Sequence, residues 1–198
     1  MAEGGLVRWI GYYVTTDEDI YMTDGSYIQV CNEIYPGKVT WVNGDHSAIT
    51  TSTPGRWISK WNKYPLVEHN KDDTPFGTGY AYYASTKILG SNSILCSGTR
   101  DFSVQNIPQA TYTWTYSSNL SPVSLTNSHQ FTVQRNGSSN GVAWVEVQVS
   151  TICSATPVSN RVYFTVGTPS PYLGGTFNDG GSGLNQPLES TYNEIYNK

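Results

Sequence analysis

Between Asp101 and Val166 apolar and polar residues alternate with period two in one run after another, and that periodicity leaves the chain few folds to choose from. Phe102 and Val104 point one way, Ser103 and Gln105 the other. Tyr112, Trp114 and Tyr116 alternate with Thr111, Thr113 and Thr115, and His129, Phe131 and Val133 alternate with Gln130, Thr132 and Gln134. Ala143, Val145, Val147 and Val149 alternate with Trp144, Glu146 and Gln148. Val162, Phe164 and Val166 alternate with Arg161, Tyr163 and Thr165. Successive side chains of an extended chain leave opposite faces of a sheet, so each run reads as a half-buried strand. Turn residues separate the runs: Asn106-Ile-Pro108, Asn136-Gly137, Asn140-Gly141 and Ser159-Asn160. Short strands with one apolar face each must bury those faces against one another. The expectation is two antiparallel sheets packed face to face over residues 91–169.

A weaker version of the pattern precedes it. Tyr27-Ile-Gln-Val-Cys31, then Pro36-Gly37, then Lys38-Val-Thr-Trp41 parallels Asp101-Phe-Ser-Val-Gln105, then Pro108, then Thr111-Tyr-Thr-Trp114. Farther on, Gly79-Tyr-Ala-Tyr-Tyr83 parallels Gly141-Val-Ala-Trp-Val145. An internal duplication at domain scale follows from this. It predicts a first β-sandwich-like domain over residues 1–90, with strands at 26–31, 38–43, 57–61 and 77–85, a weaker one at 48–51, and a strand from Leu6–Val14 on the N-terminal side. Residues 170–198 read as a Gly/Pro/Asn-rich linker followed by the start of a further element.

Composition narrows the setting. Charged residues are 13% of the chain, near half of the usual quarter or so, while Ser, Thr and Asn supply 59 of 198 residues. Fifteen Tyr and six Trp provide a core that disordered chains lack. A net charge of −4 with 11 Lys and Arg argues against nucleic acid, because phosphate binding needs clustered cations. No apolar run approaches the roughly 18 residues that span a bilayer, so membrane insertion is not expected. Met1-Ala-Glu-Gly-Gly reads as no leader, yet the charge-poor, hydroxyl- and Tyr-rich composition points to a piece of an exported protein, extracellular or at the cell surface.

The stretch from Ile94 to Pro169 resembles the Ig-like or PKD-like repeats of large surface proteins of gut bacteria, and residues 26–88 resemble them weakly. The matching features are Leu95-Cys-Ser-Gly98, Phe102-Ser-Val104, Thr113-Trp114, Gly141-Val-Ala143, Cys153 and Val166-Gly-Thr-Pro169. The resemblance implies tandem antiparallel β-sandwiches serving as non-enzymatic spacer or adhesion modules. Their partners would be neighbouring domains of a longer chain and a glycan or host surface protein. It also suggests a disulfide between Cys96 and Cys153, leaving Cys31 as a free surface thiol. A virion decoration or fibre protein is a further alternative.

No residue set here carries an obvious reaction, and no catalytic residue, metal or cofactor is expected. Asp45-His46-Ser47 holds the three residue types of an acyl-transfer triad, but triad members come from separate loops, and the neighbouring Asn43-Gly44 marks a turn. Asp17-Glu18-Asp19, Asp24 and Asp72-Asp73 lack the spacing of a calcium loop. His69 and His129 have no partner at metal spacing. Trp41 and Trp114 are expected in the core, as are Trp57 and Trp61. The sharper candidates are outward aromatics. Trp144 and Tyr163 fall on outward positions of strands expected to be neighbours, and Tyr80 and Tyr82 on matching positions of the first part. Such rings can stack on sugars in a carbohydrate-binding module. They can equally pair across strands or be covered by an adjoining domain.

Overall fold

A computed structural model describes residues 25–41, 46–60, 65–74 and 78–167. The predicted strand at Leu6–Val14, the residues Trp61, Asp45, Asp17, Glu18, Asp19 and Asp24, and the 170–198 linker lie outside them. The described residues are all-β, with no helix and thirteen strands. In chain order these are β1 (Tyr27–Val30), β2 (Lys38–Trp41), β3 (Ser47–Thr50), β4 (Arg56–Lys60), β5 (Leu66–Asn70), β6 (Tyr80–Ser85) and β7 (Leu89–Gly90). They continue with β8 (Thr99–Ser103), β9 (Thr111–Tyr116), β10 (Leu120–Pro122), β11 (Gln130–Arg135), β12 (Gly141–Ser150) and β13 (Val158–Val166). They form antiparallel sheets in the orders β1-β6-β2-β3-β4-β5, β10-β11-β8-β7 and β13-β12-β9.

The alternation in the second half is realised as burial. Phe102, Phe131 and Val133 of the four-stranded sheet and Tyr112, Trp114, Val145, Val147, Val149 and Phe164 of the three-stranded sheet share one core. Rings from the two sheets meet there: Phe102 lies 5.3 Å from Phe164, and Trp114 stacks on Phe131 at 5.3 Å. The two sheets therefore lie face to face. Strand β12 is central in its sheet, and its inward column Ala143, Val145, Val147 and Val149 is fully buried. Each valine contributes about 1.5–3 kcal/mol through loss of apolar surface.

The first half is built differently from its sequence counterpart. β1 and β2 flank β6 within one six-stranded sheet, whereas β8 and β9 lie in different sheets. Among the described residues no other sheet is built from strands of the first half alone. Instead Ile28 and Val30 of β1 and Ala84 of β6 enter the core of the second half. Trp41 and Trp57, with Val39 and Ala48, make a smaller cluster, and Tyr82 packs against both. Apolar contact thus runs across residue 90, and β7 at that position pairs with β8. Ser85 N donates to Gln105 Oε1 and Gln105 Nε2 donates to Pro36 O, closing the same seam.

The expected disulfide is corrected by the structure. Cys31 bonds to Cys153, with Cα atoms 5.3 Å apart, and Cys96 is an exposed free thiol. The reason is position along the β12–β13 hairpin. Cys153 sits in its turn, beyond the Val149–Val158 pair, whereas Leu95 bridges Val166 at the opposite end. Those two ends are some eight residues, or about 27 Å, apart at the usual rise per residue. A disulfide needs Cα atoms within about 7 Å. Cys31 follows edge strand β1 beside the turn, where Thr151 Oγ1 donates to Gln29 O at 2.6 Å.

Candidate functional site

The outer face of the three-stranded sheet carries Trp144, half-buried, and Tyr163, exposed. Trp144 and Tyr163 are direct cross-strand partners, as their parity requires. Tyr163 is 57% exposed and Val142, two residues from Trp144, 68%. Thr111, Thr113 and Thr115 of β9 are exposed and on this same outward parity. The backbone around Trp144 is held from the side: Ser117 N donates to Trp144 O at 3.0 Å, and Trp144 N donates to Ser117 Oγ at 3.0 Å.

Sequence reasoning missed the ion pair that organises this face. Arg161 lies opposite Glu146, and its Nε and Nη2 donate to Glu146 Oε2 at 3.0 and 2.9 Å. Its guanidinium carbon stands 4.1 Å from the centre of the Trp144 ring, and Nη1 reaches the Tyr163 hydroxyl at 3.4 Å. Arg161 therefore covers one face of Trp144 and is fixed by Glu146 and Tyr163. Parity places Arg161 and Tyr163 on one side and Glu146 and Trp144 on one side. Only the register of β12 against β13 says that the two pairs meet.

Tyr80 and Tyr82 belong to a different sheet and a different environment. Both are half-buried around Trp57, Tyr80 edge-on at 4.8 Å and Tyr82 at 6.3 Å. The Tyr80 hydroxyl donates to Lys71 O and Asp72 Oδ1, each at 2.9 Å. Burial, then the bond to Asp72, pushes the Tyr80 phenol up to about 12. Burial also raises Tyr82, with the Glu33 carboxylate next in effect. The four aromatics thus divide into two pairs, and neither pair extends the other.

The same face of the six-stranded sheet carries two histidines beside Trp41, His46 at 5.0 Å and His69 at 6.5 Å between ring centres. His69 Nδ1 lies 2.8 Å from Asn70 O, which can only accept, so Nδ1 bears the proton and Nε2 accepts from the Ser59 hydroxyl at 2.8 Å. This is the hydrogen bond of a base with a nucleophile, and both side chains are buried, Ser59 at 2% and His69 at 7% exposure. Burial, then the neighbouring His69, lowers the His46 imidazole to about 4. Asp72 is held by Lys71 at 2.8 Å and Asp73 by Asn70 at 2.6 Å. Among the described residues no three His, Cys, Asp or Glu converge as a metal site. Nor is any helix there long and apolar enough to cross a membrane.

The chain matches no protein-family model, no curated protein and no solved structure.

Proposed function

We propose that the chain is a non-enzymatic extracellular or cell-surface module of Ig-like or PKD-like tandem type, acting as a structural spacer or adhesion domain between neighbours in a longer polypeptide. The observation that carries this reading is the Cys31–Cys153 disulfide, which joins the two halves across 122 residues of sequence. Such bonds persist in oxidising compartments and are rare where glutathione keeps thiols reduced. The charge-poor, hydroxyl-rich composition and the shared core support it. The test is made on intact source cells. External protease and a membrane-impermeant label should reach the protein, and denaturing alkylation without reductant should find one free thiol. Protection from both reagents, with three thiols per chain, refutes the reading.

A carbohydrate-binding role is a second reading, favoured by Trp144 and Tyr163 standing side by side with Val142 exposed beside them. A ligand would stack on Tyr163 and on whatever part of Trp144 Arg161 leaves open. Binding on a glycan array that disappears in Trp144→Ala, with thermal unfolding unchanged, supports it. An array without any hit rejects it.

A further inference from the structure

The two ends of the described body lie at opposite ends of one strand. Gly25 is at the start of β13: its carbonyl accepts from Asn160 Nδ2 at 2.7 Å and from the Thr86 hydroxyl. A Cβ on Gly25 would stand 3.3 Å from Ser159 O. Gly167 follows the last residue of β13, where its N–H donates to Leu95 O at 2.9 Å. Seven residues of strand separate Asn160 from Gly167, about 23 Å at the usual rise. A pull that parts Gly25 from Gly167 therefore runs nearly along β13. It loads the nine antiparallel residue pairs between β13 and β12 together, in shear, instead of opening them one at a time.

The disulfide changes what such a pull can do. Through the bridge, the covalent path is six residue steps from Gly25 to Cys31 and fourteen from Cys153 to Gly167. Along the backbone it is 142 steps. Strands β2 to β12 all lie inside the closed loop. Fully drawn out, the short path reaches about 70 Å and the long one about 500 Å.

We propose that the Cys31–Cys153 disulfide is a tension bypass: once β1 and β13 have parted from β6 and β12, a pull at the two ends of the body passes through β1, the bridge and β13, and leaves β2–β12 unloaded. Shearing β13 away removes Phe164 and Val166 from the core. After that separation Trp114, Phe131, Val145 and Val147 are on strands that carry no force. The cluster of Trp41 and Trp57 is likewise inside the loop. The use of such a device rests on the spacer reading, since a spacer is the part of a surface protein that is pulled. The mechanical claim rests on the fold.

The test holds the full chain by its two termini in a force clamp. Without reductant the body should lengthen by no more than the short path allows. Dithiothreitol reduces the bridge to two thiols and is itself oxidised to its cyclic disulfide. Its addition should release a further step of about 430 Å, the length of the 122-residue loop. The rate of that step should rise with the applied force, because the bond attacked is the one under tension. Cys31→Ser should give the long extension without reductant; if that variant does not fold, the wild-type arms with and without dithiothreitol decide. Full extension of the oxidised chain, or a reduction rate independent of force, overturns the proposal. A protein found reduced inside cells would sink the surface reading and leave the force result untouched.

Discussion

Acid should destabilise this protein through His46 in particular. The imidazole is 6% exposed, packed on Trp41 just before β3, and burial with the nearby His69 lowers its pKa from 6.5 to about 4. The folded value lies below the unfolded one, so the unfolded chain takes up the proton first. The stability tied to neutral His46 is complete above pH 6.5, declines as pH falls below that, and is gone below about pH 4. Linkage over this interval amounts to about 3 kcal/mol between pH 7.5 and pH 4, of which roughly 1.4 kcal/mol is lost by pH 5.5. Protonation of carboxylates adds its own loss at the acid end, so a reference variant is needed. Urea unfolding followed by tryptophan fluorescence, at fixed ionic strength, gives the stability of wild type and His46→Gln at each pH. The advantage of wild type over the variant should shrink by about 3 kcal/mol from pH 7.5 to pH 4. A constant difference would show that His46 titrates alike in both states, and the buried placement of the ring would be wrong.

Two further outcomes follow from packing and from the bridge. Trp57 is fully buried and its Nε1 donates to Glu33 Oε1 at 3.1 Å, so Trp57→Ala should cost about 3–5 kcal/mol in urea unfolding. A loss under about 1 kcal/mol would contradict the cluster on that sheet face. Removing the bridge by Cys31→Ser should cost up to about 5 kcal/mol on the chain-entropy account for a loop of 122 residues, whereas Cys96→Ser should be neutral. The reverse ranking would restore a Cys96–Cys153 pairing.

The parts of the fold visible in the sequence are those where one face of a strand is buried and the other is not. Tyr112, Phe131 and Val147 alternate with polar neighbours and end up 7%, 0% and 0% exposed. β5 shows why other elements stay hidden. Leu66-Val-Glu-His-Asn70 has no polarity alternation and four of its five residues are exposed, so pairing with β4 holds it, not burial. β7 is two residues long and β10 three, too short for any periodicity. The candidate site divides the same way. Parity alone turns Trp144 and Tyr163 outward, while the coverage of Trp144 by Arg161 depends on the register of two strands.

Residue order was enough to state that the chain is β-rich, which side chains of β8, β9 and β11 to β13 turn inward, and that Trp41 and Trp114 are buried. These are local consequences of a two-residue period and of the free energy of removing apolar surface from water. Tertiary structure alone decided that β6 inserts between β1 and β2, that one core crosses between the halves, and that Cys31 rather than Cys96 meets Cys153. Each of these turns on which distant segments become neighbours. Many sheet orders satisfy the same alternation, and a cysteine's partner is whichever thiol the chosen order brings within bonding distance.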